Sequence, residues 1–459
     1  MTQRHNRQRR SSSLRLRSVQ LRASVRSRLW PVPTVITVVA VIAGLSIPAL
    51  DSMVDDSLPS ALQTVLFAGG SDSARAVLSA IAGSLITVTA LTFSLTVVTF
   101  QLASSQFSPR LLRMFASDKT MHATLGIFLG TFTYALTVLT SVRSATSTRE
   151  EVVPLIAVTL ASILTFVSVI TLALFLGHLA RKIRVETMLR DVHDETVGTI
   201  ALVGKQAETY VEVSSDGIRP AHATPVAAAA SGFITSVDRA QLVEIARSHD
   251  IVLAEEHTVG SSVISGVPLV SWWNLDDAAG QGASDRTVLD CEVNAAFTLG
   301  FERTSSQDIG FGIRQLVDVS SKALSPAIND PTTAVHAVSH LSSLLCAIAA
   351  LPENRGGAVD ENGVVRLITR PQNFGELVEL AVEQPRRYGA GDPRLAARLF
   401  QLLREVGYNA RTEHQRSIVR GQTERLTASV QQQGYDEPEL LRFARLAQEV
   451  ESALTGHWH

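Results

Sequence analysis

Cysteine is nearly missing from this 459-residue chain: Cys291 and Cys346 stand 55 positions apart, in no CxxC pair and with no histidines at metal-ligand spacing. That argues against a secreted disulfide framework and against a zinc cluster, so two ordinary reduced thiols are expected. Aromatic residues are scarce as well, at 5% beside 46% hydrophobic residues overall. The apolar content is therefore mostly aliphatic, which suits a membrane part joined to a soluble part. No P-loop lysine motif, no GxGxxG and no Gly-x-Ser-x-Gly occurs anywhere in the chain. Enzymatic activity has no positive support on these grounds, and no catalytic residue, metal or cofactor is expected.

Charge is the next absence. From Ala76 to Ala103 no Asp, Glu, Lys or Arg occurs over 28 positions, more than the roughly 20 residues a membrane-crossing helix needs. Three further apolar runs, at about Pro31–Leu50, Met121–Val142 and Val152–Leu176, are equally free of charge. Proton- and sodium-coupled carriers commonly keep an ionisable group within the membrane, so this pattern counts against such a mechanism. Acid is absent from residues 1–30, which hold nine arginines. A basic arm over 1–29 is drawn to an anionic cytoplasmic leaflet and places the N-terminus inside. The first apolar run ends in Asp51 with no Ala-x-Ala-like cleavage site, so it reads as an uncleaved helix. Asp51, Asp55, Asp56 and Asp72 then fall outside, while Arg110, Arg113 and Lys119, and later Arg181, Lys182 and Arg184, fall inside. Four membrane helices over 30–180, both termini cytoplasmic, follow from that alternation. Residues 181–459 carry 26 basic and 36 acidic side chains, which disfavours nucleic acid as a partner.

What is present in the second span is a double polar stripe. Thr89, Thr92, Thr96 and Thr99 share one helical face, and Thr87, Ser94 and Gln101 share the opposite one. Two such faces imply two neighbouring helices, or one neighbour and a water-filled space. Thr89, Thr92, Ser94, Thr96, Thr99 and Gln101 are the candidate pore-lining residues, with close packing as the competing role. In the third span Gly126-x-x-x-Gly130, continued by Thr133 and Thr137, marks a face for close helix approach. Ser108-Pro109 is a cap followed by Pro at a first helical position, opening a segment whose Arg110 and Arg113 reach headgroups.

From residue 181 the pattern becomes that of a soluble protein. A helical stalk over 181–213, a Gly/Pro/Ala linker over 214–230, a small β-rich module over 231–285 and a mainly helical domain over 286–459 are expected. The fold class is thus a membrane α-helical domain of four spans plus a cytosolic α+β domain, mostly helical. The densest polar set there is Glu302, Arg303, Thr304, Gln307, Asp308, Arg314, Asn329, Asp330, Thr332 and Thr333. Free helix N-terminal amides with Arg303 or Arg314 would suit an anionic ligand. The alternative is a capping network at a helical corner, with Arg303 paired to Asp308 or Asp330 and two cap-plus-Pro starts at Ser325-Pro326 and Asp330-Pro331. His336 and His340 stand at i, i+4, but no nearby Cys or acid completes a metal site and they read as helix-surface histidines.

Two blocks of this sequence resemble the DUF2254 family of bacterial integral membrane proteins. The first matches at Phe93, Ser94, Gln101 to Phe107, Pro109 and Arg110, and the second at Gly300, Glu302 to Thr304, Gln307, Asp308, Leu324 to Pro326 and Ile328 to Ala334. The resemblance implies a multi-pass protein of the bacterial cytoplasmic membrane and brings no activity with it. Val259-Gly260-Ser261-Ser262-Val263 stands where the family has Pro-Gly-Asp-Phe-Val, so a role requiring that acid is not expected here. The leading functional expectation is an oligomeric channel-like passage for small ions or solutes, gated by the cytosolic domain. A membrane-anchored ligand sensor or scaffold without transport is the alternative. The expected partners are the lipid bilayer, further copies of the chain and an unidentified small-molecule ligand.

Overall fold

The computed structural model describes residues 30–54, 67, 69–106, 118–144, 152–213, 220–275, 286–352 and 355–458. The basic arm, Asp55, Asp56 and the Ser108-Pro109 segment with Arg110 and Arg113 lie outside those residues. The chain divides into two compact units, Met1–Arg184 and Val185–His459.

The first unit is built from α1 (Pro31–Val54), α2 (Ser71–Gln106), α3 (Lys119–Ser141) and α4 (Leu155–Lys182). Helix α3 packs against each of the other three. Its glycine face meets α1, as the spacing predicts: a Cβ on Gly130 would stand 2.9 Å from Ile36 Cγ2, and one on Gly126 would collide with the same side chain. Gly44 on α1 answers with its own close approach, 2.8 Å from Thr137 Cβ to a Cβ built there. Backbones that approach this closely gain dispersion contacts that lipid cannot supply.

Two apolar clusters tie the bundle together. Leu78, Leu85, Tyr134, Val138, Ala157 and Ala161 lie in one, and Phe100, Met121, Leu125, Phe175 and Leu179 lie in the other. Among the described residues five helices are long and apolar enough to cross a bilayer: these four and Pro331–Ala349 of the second unit.

The second unit opens with α5 (Val185–Glu208). A turn at Ile183–Arg184 separates it from α4, and Met188, Leu189, Val192 and Ile200 are buried. The face expected on a stalk is therefore part of a core. After it come β1 (Val211–Glu212), β2 (Thr224–Ala227), β3 (Gly232–Val237), α6 (Arg239–His249), β4 (Ile251–Glu255), β5 (Ser262–Val263) and β6 (Pro268–Asn274). Then follow α7 (Arg286–Ala296), β7 (Phe297–Gly300), α8 (Ile309–Ala323), α9 (Pro331–Ala349), β8 (Arg355–Val359) and β9 (Val365–Ile368). Four helices close the chain: α10 (Phe374–Gly389), α11 (Pro393–Asn409), α12 (Glu413–Gln431) and α13 (Glu437–Leu454).

Local signals account for most of these boundaries. Asp238, Asp308, Asp330, Asn373, Asp392, Thr412 and Asp436 each cap a helix through the side chain.

The sheets depart from the expected self-contained module. One has the order β1-β8-β9-β4-β6-β2 and the other β5-β3-β7. The larger sheet recruits β1 from the expected stalk, β2 from the expected linker over 214–230, and β8 and β9 from beyond residue 354. Leu253 on β4 pairs in parallel with Leu367 on β9, a pairing no local pattern could announce because parallel partners require a long crossover. Helix α9 lies among α5, α8, α10 and α11, and its buried Leu341, Leu344, Leu345 and Ile348 supply much of their shared core.

Candidate functional site

The two stripes on α2 have opposite fates. Thr89, Thr92, Thr96 and Thr99 are 8%, 1%, 2% and 4% exposed: they lie on the side of α2 that packs inside its own bundle. Three of the hydroxyls return to the helix, Thr89 to the Leu85 carbonyl at 2.6 Å, Thr96 to that of Thr92 at 2.9 Å and Thr99 to that of Leu95 at 2.9 Å. It is their burial on that face that keeps these hydroxyls from a solute, the bonds only spending their hydrogens within the helix. The Thr92 hydroxyl, buried on the same face, makes no hydrogen bond among the described residues. In the same interior Thr131 of α3 and Ser168 of α4 hold each other at 3.2 Å.

On the other side Gly83, Thr87, Ala90, Ser94, Val97 and Gln101 recur at alternating four- and three-residue steps, and all six are exposed. Thr87 donates to the Gly83 carbonyl at 3.0 Å. Ser94 and Gln101 make no side-chain hydrogen bond among the described residues. Of the six candidate lining residues, then, four lie inside the bundle and two on its surface.

The polar set of the second unit is split by the length of α8. Asp308 caps its start and is 1% exposed. Its carboxylate takes Arg303 Nε and Nη2 at 2.8 and 2.9 Å, the Phe311 amide at 3.0 Å and Gln372 Nε2 at 2.8 Å. Gly260 makes room for this arrangement, since a side chain there would run into the Asp308 carboxylate, and its φ of +90° suits glycine alone. Gln307 spends its amide on the backbone of Val237, accepting from the nitrogen at 2.9 Å and reaching the oxygen at 3.4 Å. Glu302 is exposed, and Arg314 is half-buried and partnered.

Asn329, Asp330 and Thr332 belong to the corner beyond the far end of α8, 15 residues on, or about 22 Å along the axis. Asp330 accepts the Thr333 amide at 3.1 Å and its hydroxyl at 2.6 Å. Those bonds, the hydroxyl one first, hold the Asp330 carboxyl below the ordinary aspartate range. Asn329 turns the corner at a φ of +50°, and Thr332 is exposed. Ser325-Pro326 forms a single turn rather than a helix start, with Ser325 donating back to the Lys322 carbonyl at 2.7 Å. The expected corner exists, but it and the Arg303–Asp308 pair are two separate capping arrangements.

A family model described as a predicted membrane protein, DUF2254, matches residues 26–405. The chain belongs to the DUF2254 family. Uncharacterized proteins of Mycobacterium bovis and Mycobacterium tuberculosis are 33% identical to it over 416 residues, covering 89% of this chain and 77% of theirs. No solved structure matches.

Two features of this DUF2254 protein escaped the reading of its sequence. Asp51, near the end of α1, is 2% exposed and accepts the Ile156 and Ala157 amides at the start of α4, at 2.9 and 3.4 Å. A hint lay in Pro154, which precedes that helix and offers no side-chain cap. The other is His193 on α5, which faces His340 across 5.1 Å between ring centroids. His336 is exposed as expected, while His340 is half-buried. Among the described residues no group of three or more His, Cys, Asp or Glu side chains is arranged to hold a metal ion. The half-buried Cys346 thiol is pushed up to about 11, by burial first and then by Glu405, which makes it a poor nucleophile at neutral pH.

Proposed function

We propose that this DUF2254 protein is a non-enzymatic, multi-pass protein of the bacterial cytoplasmic membrane whose copies together enclose a passage for small ions or solutes. Four helices, α1 to α4, cross the bilayer with both termini on the cytoplasmic side, and α9 stays in the core of the cytosolic unit. The outer stripe of α2 carries the reading. Ser94 and Gln101 on it are exposed, polar and without a partner in the described chain, set among the exposed Leu91, Phe93 and Val98 of the same helix, and the outer faces of α1 and α4 present Val35, Val39, Ile42, Phe166, Ile170 and Leu174. Hydrocarbon suits those apolar faces and gives no hydrogen bond to a hydroxyl or an amide.

The lining assigned here is Thr87, Ser94 and Gln101. Thr89, Thr92, Thr96 and Thr99 hold the bundle together. Gating by the cytosolic unit would act through the Ile183–Arg184 turn, where α4 passes into α5.

Ion flux through the full chain in liposomes tests the reading, with Ser94→Leu/Gln101→Leu and Thr92→Leu/Thr96→Leu variants alongside. Wild-type flux should fall by about tenfold or more in the Ser94/Gln101 variant with oligomer size retained, and the Thr92/Thr96 variant should lose thermal stability. Absence of wild-type flux for monovalent cations, anions and small neutral solutes overturns it. The membrane-anchored sensor or scaffold would then stand in its place.

A further inference from the structure

Helices α5 and α9 of the second unit meet through histidines that lie about 150 residues apart in sequence. The ring of His193 stands 5.1 Å from that of His340, tilted by 56°. His193 Nε2 lies 3.1 Å from the Ser343 hydroxyl, which ties the same ring to α9 a second time. His336 stands one turn before His340 on α9. We propose that this cluster is an acid-sensitive latch: neutral rings hold α5 on α9, and protonation of His193 and His340 releases it.

Neutral imidazoles pack against each other and exchange hydrogen bonds with a hydroxyl at this spacing, whereas two imidazolium rings repel. The charges around the pair do not offset two protons. On α5, Asp194 lies 3.3 Å from His193 Nδ1, but it is largely exposed and shared with Arg190 at 3.7 Å. On α9 itself the neighbouring group is His336, a further site of positive charge. α8 carries Arg314 and Asp318, one charge of each sign. From α11, Arg398 and Glu405 bind each other together with Ser339 and Ser342, and on α10 Glu379 pairs with Arg425 and Glu383 with Arg387. β8 contributes no carboxylate.

Burial holds the His340 imidazole below its ordinary value of 6.5, with repulsion from His193 and His336 acting in the same direction. A base whose folded value is depressed contributes stability that is present above its ordinary value and lost as pH falls through the lowered one. Mild acid therefore opens the seam. The inference rests on the second unit alone and is independent of the passage reading.

Hydrogen exchange of the full chain in detergent, at about pH 7.5 and about pH 5.5 after correction for intrinsic rates, tests it. In wild type, α5 peptides should exchange about fivefold faster or more at the lower pH, while α12 and α13 peptides stay unchanged. His340→Phe keeps an aromatic ring, removes the charge and should abolish the acid effect. His193→Phe should do the same, and serves if His340→Phe does not fold. Wild-type α5 exchange independent of pH, an equal rise in α12 and α13, or an undiminished effect in a folded variant each overturns the proposal.

Discussion

Asp51 caps a helix that begins more than a hundred residues after it: its Oδ2 accepts the Ile156 amide at 2.9 Å. Tyr134 secures the same turn from α3, donating to the Ala157 carbonyl at 3.2 Å. Three helices of the first unit are thus joined at one point. Replacing the carboxylate leaves α4 amides without an acceptor in a setting where water is scarce. Asp51→Ala should cost about 1–3 kcal/mol, read as a lower midpoint of thermal unfolding of the full chain in detergent. Asp51→Asn, which keeps one carbonyl acceptor, should cost less.

Gly130 and Ile36 form the close contact between α3 and α1, and bulk on either side is felt by the other. Gly130→Val should destabilise the bundle by about 1–3 kcal/mol through overpacking. Ile36→Ala in the same chain should recover part of that loss. A double-mutant cycle on unfolding midpoints measures the coupling, and additive effects would show that the two residues do not press on one another.

Arg303 faces an Asp308 carboxylate that is 1% exposed. Removing the guanidinium leaves a buried charge with neutral donors only. Arg303→Ala should therefore cost about 2–4 kcal/mol of second-unit stability, and Arg303→Lys, which cannot form the two-pronged contact, an intermediate amount. Phosphate or nucleotide should not raise the wild-type melting temperature through this pair, because the protein's own donors and acceptors already engage it. Stabilisation that vanished in Arg303→Lys would show an anion site instead.

Asp330 yields a pH prediction. Its carboxyl titrates below its ordinary 3.8 because of the bonds from Thr333. A depressed acid contributes stability above the ordinary value, and that stability is lost as pH falls through the lowered one. Acid denaturation monitored by circular dichroism should therefore be less steep below about pH 4 in Asp330→Asn than in wild type. Thr333→Val, which removes the hydroxyl donor, should shift the curve the same way by a smaller amount.

Much of this architecture was open to reading residue by residue. Long uncharged apolar runs announce helices α1 to α4 of the first unit, and the Gly126/Gly130 spacing marks a close-packing face, which meets α1. The caps at Asp330, Asp392 and Asp436 place helix starts because a side chain reaching an amide two or three residues on is a local event. The strand–helix–strand order from Gly232 to Asn274 is equally local, set by two-residue alternation giving way to helical spacing.

What the sequence settles alone is the periodicity of each element and the ends of many of them, since both depend on neighbours within a few positions. Which of α2's two hydroxyl stripes is buried was decided by the packing of α3 and α4, as both stripes have the same spacing and similar chemistry. Arg303 finds Asp308 only five residues on, whereas Asp51 serving α4, β9 lying beside β4 and His193 meeting His340 are long-range pairings. Their partners are fixed by the closure of the whole core, where every buried polar group must find a donor or acceptor wherever the chain happens to bring one.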